Sequence, residues 1–513
     1  MFKGVALLAA FVSLAGLAEA QVRAPYVYQV LPYSMVQPSG PFAGTVASKT
    51  GCTGSGCSNF TLTPNNFTPQ PQVGGLVGSL DASVATALSV IPLASNASGV
   101  IEEVDPTTGI KLPASSSLGP IFTERGETVG KHKFYIGLST QSFHFTSFNG
   151  QSVKGIQLLD RGGESTNIPQ IQGGLSPALT YDIGLDVRLS HNVAFLTYGV
   201  TGRFDVSVGL PVVHAAVSAN GFNEEIYGGN GFGASGSYCW CQGTLTPSLA
   251  PGTPTAPTAS GLVQPQVNFS ALGKTGFGDM LLRFKGSAIE KPKAALALGV
   301  DLRLPTGDAK NFLGTGALAV KPFAALSLYT KPWNNGIVIS PHINVGWQFA
   351  GQSLLGGQIT SSTTTITVPN CQAGTASTCQ TTEFAPPFAS TKGYLPDVFS
   401  WAIGTEIALG PQNTVVVDFL GNQIGWIHGI PNMTTQSTSA QVPLPTTNAT
   451  PTLTTATGFV GVPSQSFGQY SGAFGYKARI AGNLVATFDA LVRFDNNGLT
   501  ARVTPLVGLS YTF

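Results

Sequence analysis

The side chains most able to do covalent chemistry are six cysteines, which fall in three close pairs: Cys52 with Cys57, Cys239 with Cys241, and Cys371 with Cys379. Each pair lies in Gly-, Ser- and Thr-rich sequence, which points to local loop disulfides formed in an oxidising compartment. Zinc is the rival chemistry, but no His or acidic cluster accompanies the pairs, so no metal is expected. Only Trp240 separates Cys239 from Cys241, a spacing that strains disulfide geometry and leaves that pair open. Among the histidines, His342 shares one face of an alternating segment with Ser340 and Asn344, which suits a hydrogen-bonded polar residue. Hydrolysis would need a serine, a histidine and an orienting polar group together. No such group shows in the linear sequence, so neither an enzyme nor a bound cofactor is expected.

The charged residues carry the other chemistry. Lys and Arg number 25 against 24 Asp and Glu, which gives no electrostatic case for nucleic acid. Charged residues are only 10% of the chain, well under the roughly 25% of soluble domains. Many recur on one face of alternating segments. The acids are Asp182, Asp186, Asp205, Asp279, Asp301, Glu406, Asp418 and Asp489. The bases are Arg188, Arg283, Lys285, Arg303, Lys321, Lys477, Arg479, Arg493 and Arg502. Together with His342, these are the candidate lining of an enclosed interior. Near balance of sign favours a structural ion-pair network over an ion-selective lining.

The elements that position these residues are strands. In Thr180–Leu189 the residues Tyr181, Ile183, Leu185, Val187 and Leu189 oppose Asp182, Asp186 and Arg188. The same period of two runs through Phe204–Val212, Leu296–Leu304 and Phe399–Leu409. Connections alternate between tight turns (Glu290-Lys291-Pro292, Gly410-Pro411-Gln412, Ala481-Gly482-Asn483) and long Thr/Pro/Gly-rich loops. Alternation with one short-turn end and one long-loop end is how outer-membrane barrels are built. A charge facing lipid would cost roughly 2–4 kcal/mol for Arg or Lys at mid-membrane, so the charged face belongs in the lumen. Pro211 and Pro305 interrupt strands and suggest bulges.

The expected fold is therefore all-β: a transmembrane antiparallel barrel of about fourteen strands over residues 131–513. Those strands are placed near 133–145, 152–160, 179–189, 191–200, 203–218, 277–289, 292–304, 316–330, 335–350, 396–409, 413–424, 471–481, 483–495 and 499–513. The last strand sets Val503, Val507, Leu509, Tyr511 and Phe513 on one face. Its aromatic end is similar to the signal read by the barrel-assembly machinery, a partner expected beside outer-membrane lipids. Residues 1–20 read as a secretory signal peptide: Lys3, an apolar Val5–Leu17, then Ala18-Glu19-Ala20. Residues 21–130 are rich in Pro, Ser, Thr and Asn and form an N-terminal plug or periplasmic segment. Within it Leu80, Val84, Leu88 and Ile91 share one face of a short helix, with Ser79 as a plausible cap.

Several segments also carry a resemblance. Gly276-Phe277-Gly278-Asp279, Arg303-Leu304-Pro305-Thr306-Gly307-Asp308 and Leu313-Gly314-Thr315-Gly316 resemble outer-membrane proteins of the phenol-degradation meta-pathway family. Tyr198-Gly199-Val200-Thr201 with Arg203-Phe204-Asp205-Val206 looks like an earlier hairpin of the same family. The resemblance covers roughly 180–350. It implies a relation to the long-chain fatty acid transporters, fourteen-stranded barrels with an N-terminal hatch. What it implies for function is passage of a hydrophobic or aromatic small molecule across the bacterial outer membrane. A surface-structural or adhesive barrel acting through its long loops, or a general polar porin, are the alternatives.

Overall fold

The structure, a computed structural model, describes residues 24–35, 47–48, 57–62, 70–92, 102–104, 111–113, 117–161, 178–226, 238–241, 244–246, 263–291, 293–330, 337–357, 359–362, 365–368, 379–382, 385–425, 432–441, 452–461 and 466–513. Side chains are described over 24–33, 76–92, 117–156, 183–220, 271–291, 293–330, 337–357, 390–425 and 466–513. The proposed signal peptide and the side chains of all six cysteines lie outside these residues. So does the side chain of Asp182.

Period-two sequence closes into a barrel. Its strands are β1 (Phe134–Phe145), β2 (Ala178–Thr201), β3 (Phe204–Ile226), and β4, which runs through Val263–Phe277 and Met280–Lys291. There follow β5 (Ala294–Leu304), β6 (Ala319–Leu328), β7 (Val338–Ala350) and β8 (Val398–Ala408). The wall ends with β9 (Asn413–Ile424), β10 (Phe467–Ala481), β11 (Leu484–Arg493) and β12 (Val503–Thr512). Neighbours pair antiparallel in chain order, and β12 closes onto β1 with Leu509 opposite Leu138. The backbone pairing of the wall thus closes without an open edge, the condition for a sheet to cross a membrane.

Twelve strands form the wall rather than about fourteen, and two local causes explain the difference. The segments expected at 179–189 and 191–200 are one continuous strand, β2, because Ser190 and His191 keep the alternation and no turn residue separates them. The segment expected at 152–160 contributes a strand, Ile156–Arg161, that pairs with β2 at Ala178–Ile183, beyond the stretch that β1 covers. It lies outside the closed wall. The count stays even, so the start of β1 and the end of β12 both lie on the short-turn side. There Gly482 adopts φ +53°, the left-handed conformation that tight turns need and that glycine tolerates.

The outer surface is a belt of hydrocarbon. Ile136, Leu138, Leu196, Leu298, Ile343, Val345, Ile403, Phe419, Phe488, Val507 and Leu509 are all exposed on it. Aromatic residues gather with them, including the Trp347–Phe399 and Tyr511–Phe513 pairs. Closure plus an unbroken apolar exterior makes this a membrane-spanning barrel of the outer-membrane type.

β2 has 24 residues and β3 has 23, whereas a span needs about 9–11. Their upper halves therefore stand beyond the lipid, and there the faces exchange polarity. Ile183, Leu185, Val187 and Leu189 point inward and are buried, while Asp186 and Arg188 lie on the outer face. Arg188 ion-pairs with Asp186 at 2.8 Å, and His144 stands 3.3 Å from the same carboxylate. The expectation that Asp186 and Arg188 line the interior is overturned for this reason. Water, not lipid, borders that part of the wall.

The inward apolar face has a partner within the barrel. Helix α1 (Val30–Met35) and helix α2 (Gln70–Val90) pack there, and Leu31, Leu76, Leu80, Val84 and Leu88 share a core with Leu185, Leu189, Val213 and Val217. α2 begins nine residues before the expected cap at Ser79, which is itself buried in the helix. Gly74, Gly75 and Gly78 hide that first part from a propensity reading, since each costs roughly 1 kcal/mol in a helix. Packing against the barrel wall supplies what propensity does not.

Candidate functional site

The interior of the barrel is the candidate site, and at the short-turn end it is built around residues 117–130. This segment has no regular structure, so its backbone must find hydrogen bonds elsewhere. Inward side chains supply them. Leu118 N donates to Thr414 Oγ1 at 3.0 Å, and Phe122 N donates to Asp418 Oδ2 at 2.9 Å. Gly126 N donates to Ser327 Oγ at 2.9 Å, and Val129 N to Asp205 Oδ2 at 2.8 Å. Lys477 Nζ donates to the Pro120 carbonyl at 2.5 Å. Strands from around the barrel thus converge on one segment.

Close approach is also written into the glycines. A Cβ on Gly199 of β2 would stand 1.8 Å from the Gly130 carbonyl oxygen, so only glycine lets the segment lie against the wall there. Ile121 occupies comparable space beside Gly475 of β10.

At the centre of the network Arg125 forms a buried ion pair with Glu406. Its Nη2 and Nε reach the two carboxylate oxygens at 2.9 and 3.2 Å, and Ser117 also donates to that carboxylate. His342 Nε2 stands 2.6 Å from Glu406 Oε1, and His342 Nδ1 is 2.8 Å from Ser327 Oγ. Ser327 accepts from Gly126, so its own proton is free to go to Nδ1, leaving the imidazole proton on Nε2 toward the carboxylate.

Serine, histidine and carboxylate therefore stand in the order of a hydrolytic triad. Sequence reasoning missed this trio. Its signal was parity: Ser327, His342 and Glu406 occupy inward positions of β6, β7 and β8, with Ser327 directly opposite His342. Each of the three is fully buried, and none lines the 190 Å³ cavity described below. The trio fastens the 117–130 segment, Glu406 holding Arg125 and Ser327 accepting from Gly126 N.

The remaining expected lining residues divide by position. Arg283 joins Asp301 across β4 and β5 at 2.6 and 2.8 Å, also holds Glu124, and Lys285 lies 3.7 Å from Glu124. Arg303 donates to the Leu88 carbonyl of α2, and Lys321 faces the interior directly opposite Asp301 in register. Asp489 is buried on the inward face of β11, without a hydrogen-bond partner among the described residues. Asp279 is a loop clamp: it accepts from Gly307 N at 3.1 Å and from Thr315 N and Oγ1 at 2.6 Å each. This clamp fixes the Gly-rich loop 305–318 against the break in β4. Arg493 is held by Asp495 at 2.8 Å near the long-loop end. Arg479 sits near the short turns, where its backbone N donates to the Gln412 carbonyl. Arg502 is exposed one residue before β12 and turns to the Arg493 carbonyl at 3.2 Å, so it does not line the interior. No group of three potential metal ligands occurs among the described residues.

Between the end of α2 and the 117–130 segment the structure leaves a cavity of about 190 Å³. Ile91, Phe122, Phe143, Phe145 and Leu499 give it apolar surface, and Arg283, Asp301, Arg303 and Lys321 give it charge.

No protein-family model matches the sequence, and no curated protein does. Among solved structures the chain is similar to an outer membrane channel from Pseudomonas putida F1, at 9% identity and a TM-score of 0.37, over 75% of this chain and 97% of that one. It is similar to a Pseudomonas aeruginosa FadL homologue at 10% identity and TM-score 0.27, over 82% and 98% of the two chains. It is also similar to the Ralstonia pickettii toluene transporter TbuX at 12% identity and TM-score 0.28, over 75% and 90%. The membrane-spanning fold rests on the closed wall and its hydrocarbon exterior.

Proposed function

We propose that this barrel mediates passage of hydrophobic or aromatic small molecules across the outer membrane, with residues 21–130 as a plug within the lumen. The observation that carries this reading is the apolar inner wall of the long-loop half. Ile183, Leu185, Val187, Leu189, Val213 and Val217 all point inward there, together with Phe143 and Phe145. A water-filled porin presents a polar interior. Here a displaced α2 would uncover hydrocarbon leading down to the cavity. An apolar solute gains roughly 25 cal/mol per Å² of surface removed from water on such a path, whereas a sugar gains little. The charged network below, tied to 117–130, would close the short-turn end until that segment moves. The resemblance of the Gly276–Gly316 sequence to outer-membrane proteins of the phenol-degradation meta-pathway family is in keeping with it.

Uptake by cells with and without the protein tests it. Toluene and medium-chain fatty acids should enter more slowly in its absence, and glucose should enter unchanged. The intact barrel should show little steady conductance in planar bilayers. Large steady currents with unchanged apolar uptake would replace this reading with a polar porin. If neither quantity depends on the protein, a surface-structural role takes its place.

A further inference from the structure

The cavity between α2's end and the 117–130 segment is chemically lopsided. Four cations line it, Arg283, Arg303, Lys321 and Arg493, against two carboxylates, Glu124 and Asp301. Both carboxylates are engaged by Arg283, and Arg493 is held by Asp495. Lys321 and Arg303 remain. Neither has an ion-pair partner among the described residues, and Arg303 has only the Leu88 carbonyl as acceptor. Asp279 and Asp301 act on Arg303 from a distance, and Asp301 on Lys321, but Asp279 is committed to Gly307 and Thr315 and Asp301 to Arg283. Lys321 and Arg303 belong to the adjacent strands β6 and β5 and face the same space.

The other side of the cavity is aromatic. Phe143 and Phe145 of β1 both point inward, with ring centroids 6.1 Å apart and planes 13° from parallel. Leu499 and Ile91 continue that surface. At about 190 Å³ the space lies below the roughly 300–1,000 Å³ of sites for drug-sized ligands, so it suits a single ring with a short substituent.

We propose that this cavity binds a single-ring aromatic carboxylate, its anion on Lys321 and Arg303 and its ring against Phe143 and Phe145. The inference rests on the transport reading above and narrows it. Buried cations without partners are costly, and an incoming carboxylate supplies the missing charge through strong, charge-assisted hydrogen bonds. A neutral hydrocarbon would fill the aromatic end and leave the cations unpaired.

Calorimetric titration of the full barrel in detergent tests this with three shape-matched probes: benzoate, toluene and benzylamine. Benzoate should bind at least about tenfold tighter than toluene, and benzylamine weakest of the three, as expected when one charge-assisted contact decides affinity. Lys321→Gln with Arg303→Gln should bring the benzoate-to-toluene ratio close to one. Arg188→Gln, which removes a cation from the outer face, should preserve the wild-type ratio. Gel mobility before and after heating reports whether each variant is folded, and the wild-type ratio stands without any variant. Equal binding of benzoate and toluene overturns the anionic assignment and leaves apolar transport intact. Persistence of the preference in the double variant overturns the role of these two residues. Failure of all three probes to bind overturns this cavity as a ligand site, while the transport reading stands or falls on the uptake measurement.

Discussion

Arg125→Met is the most informative perturbation of the network that holds residues 117–130. The ion pair it removes is almost wholly buried, with Arg125 and Glu406 side chains 1% and 0% exposed. Methionine keeps the unbranched apolar stem and loses the guanidinium and its charge, so Glu406 is left with His342 and Ser117. Breaking one partner of a buried pair costs about 3–5 kcal/mol, because the other charge stays desolvated. At 1.4 kcal/mol per tenfold, that raises the population of the released segment roughly a hundredfold to a few thousandfold. The segment is also held by the bonds of Leu118, Phe122, Gly126 and Val129, each worth about 0.5–3 kcal/mol depending on the charge of its acceptor. Those four together match or exceed the lost pair, so the variant should remain mostly closed. The expected result in single-channel recording is more frequent brief openings, with the closed level still dominant. A double-mutant cycle of Arg125→Met with Glu406→Gln, read by urea unfolding in vesicles, should give a coupling of about 1.5 kcal/mol or more. Unchanged opening frequency together with additive single effects would refute the network as the fastening of this segment.

Gly199→Val should push the 117–130 segment from the wall, because a Cβ there meets the Gly130 carbonyl at 1.8 Å; the check is faster proteolysis near Gly130 with the barrel still heat-modifiable. Asp81 of α2 is buried, and burial raises its carboxyl well above the ordinary value. A raised acid favours the folded state below its unfolded pKa and loses that contribution as pH rises toward the folded one, so Asp81→Asn should raise the melting temperature at pH 7 and have little effect near pH 4. Ile403→Arg places a cation on the lipid face and should destabilise the barrel by up to about 2–4 kcal/mol, whereas Arg188→Ala on the projecting wall should be nearly neutral in urea unfolding. Non-reducing peptide mapping should find Cys371 linked to Cys379. The same mapping should find Cys52 linked to Cys57.

The wall was legible because its pattern is redundant. Alternation recurs in strand after strand, and a lipid exterior tolerates only apolar residues, so Leu296–Leu304 and Phe399–Leu409 could be assigned to faces without knowing their neighbours. Asp205, Asp301, Glu406, Asp418 and Lys477 do point inward, and parity alone located them. Their partners were not legible. Residues 117–130 have no period, and their bonds to the wall cross 74 to 357 positions of sequence. Local reading has no access to such distances. The trio of Ser327, His342 and Glu406 hid for the same reason: it exists only once the register of β6, β7 and β8 is known.

At Asp186 and Arg188 the alternation is as clear as elsewhere, but the polar face is the outer one. Period two reveals that the faces differ, not which face meets hydrocarbon. In the membrane the apolar face is outside and the charged face inside. In the projecting halves of β2 and β3, water borders the outer face and a buried helix borders the inner one, so burial selects the opposite assignment. The length of β2 was the available clue, since 24 residues at about 3.3 Å each reach far beyond a hydrocarbon band about 25 Å tall. An inward apolar face beyond the membrane also requires something apolar to cover it. That requirement connects the wall to α2: Leu80, Val84 and Leu88 are buried because Leu185, Leu189 and Val217 need a partner away from lipid. The hydrophobic upper interior and the N-terminal helix thus explain each other, and a change to either one should be felt as a change in how the lumen opens.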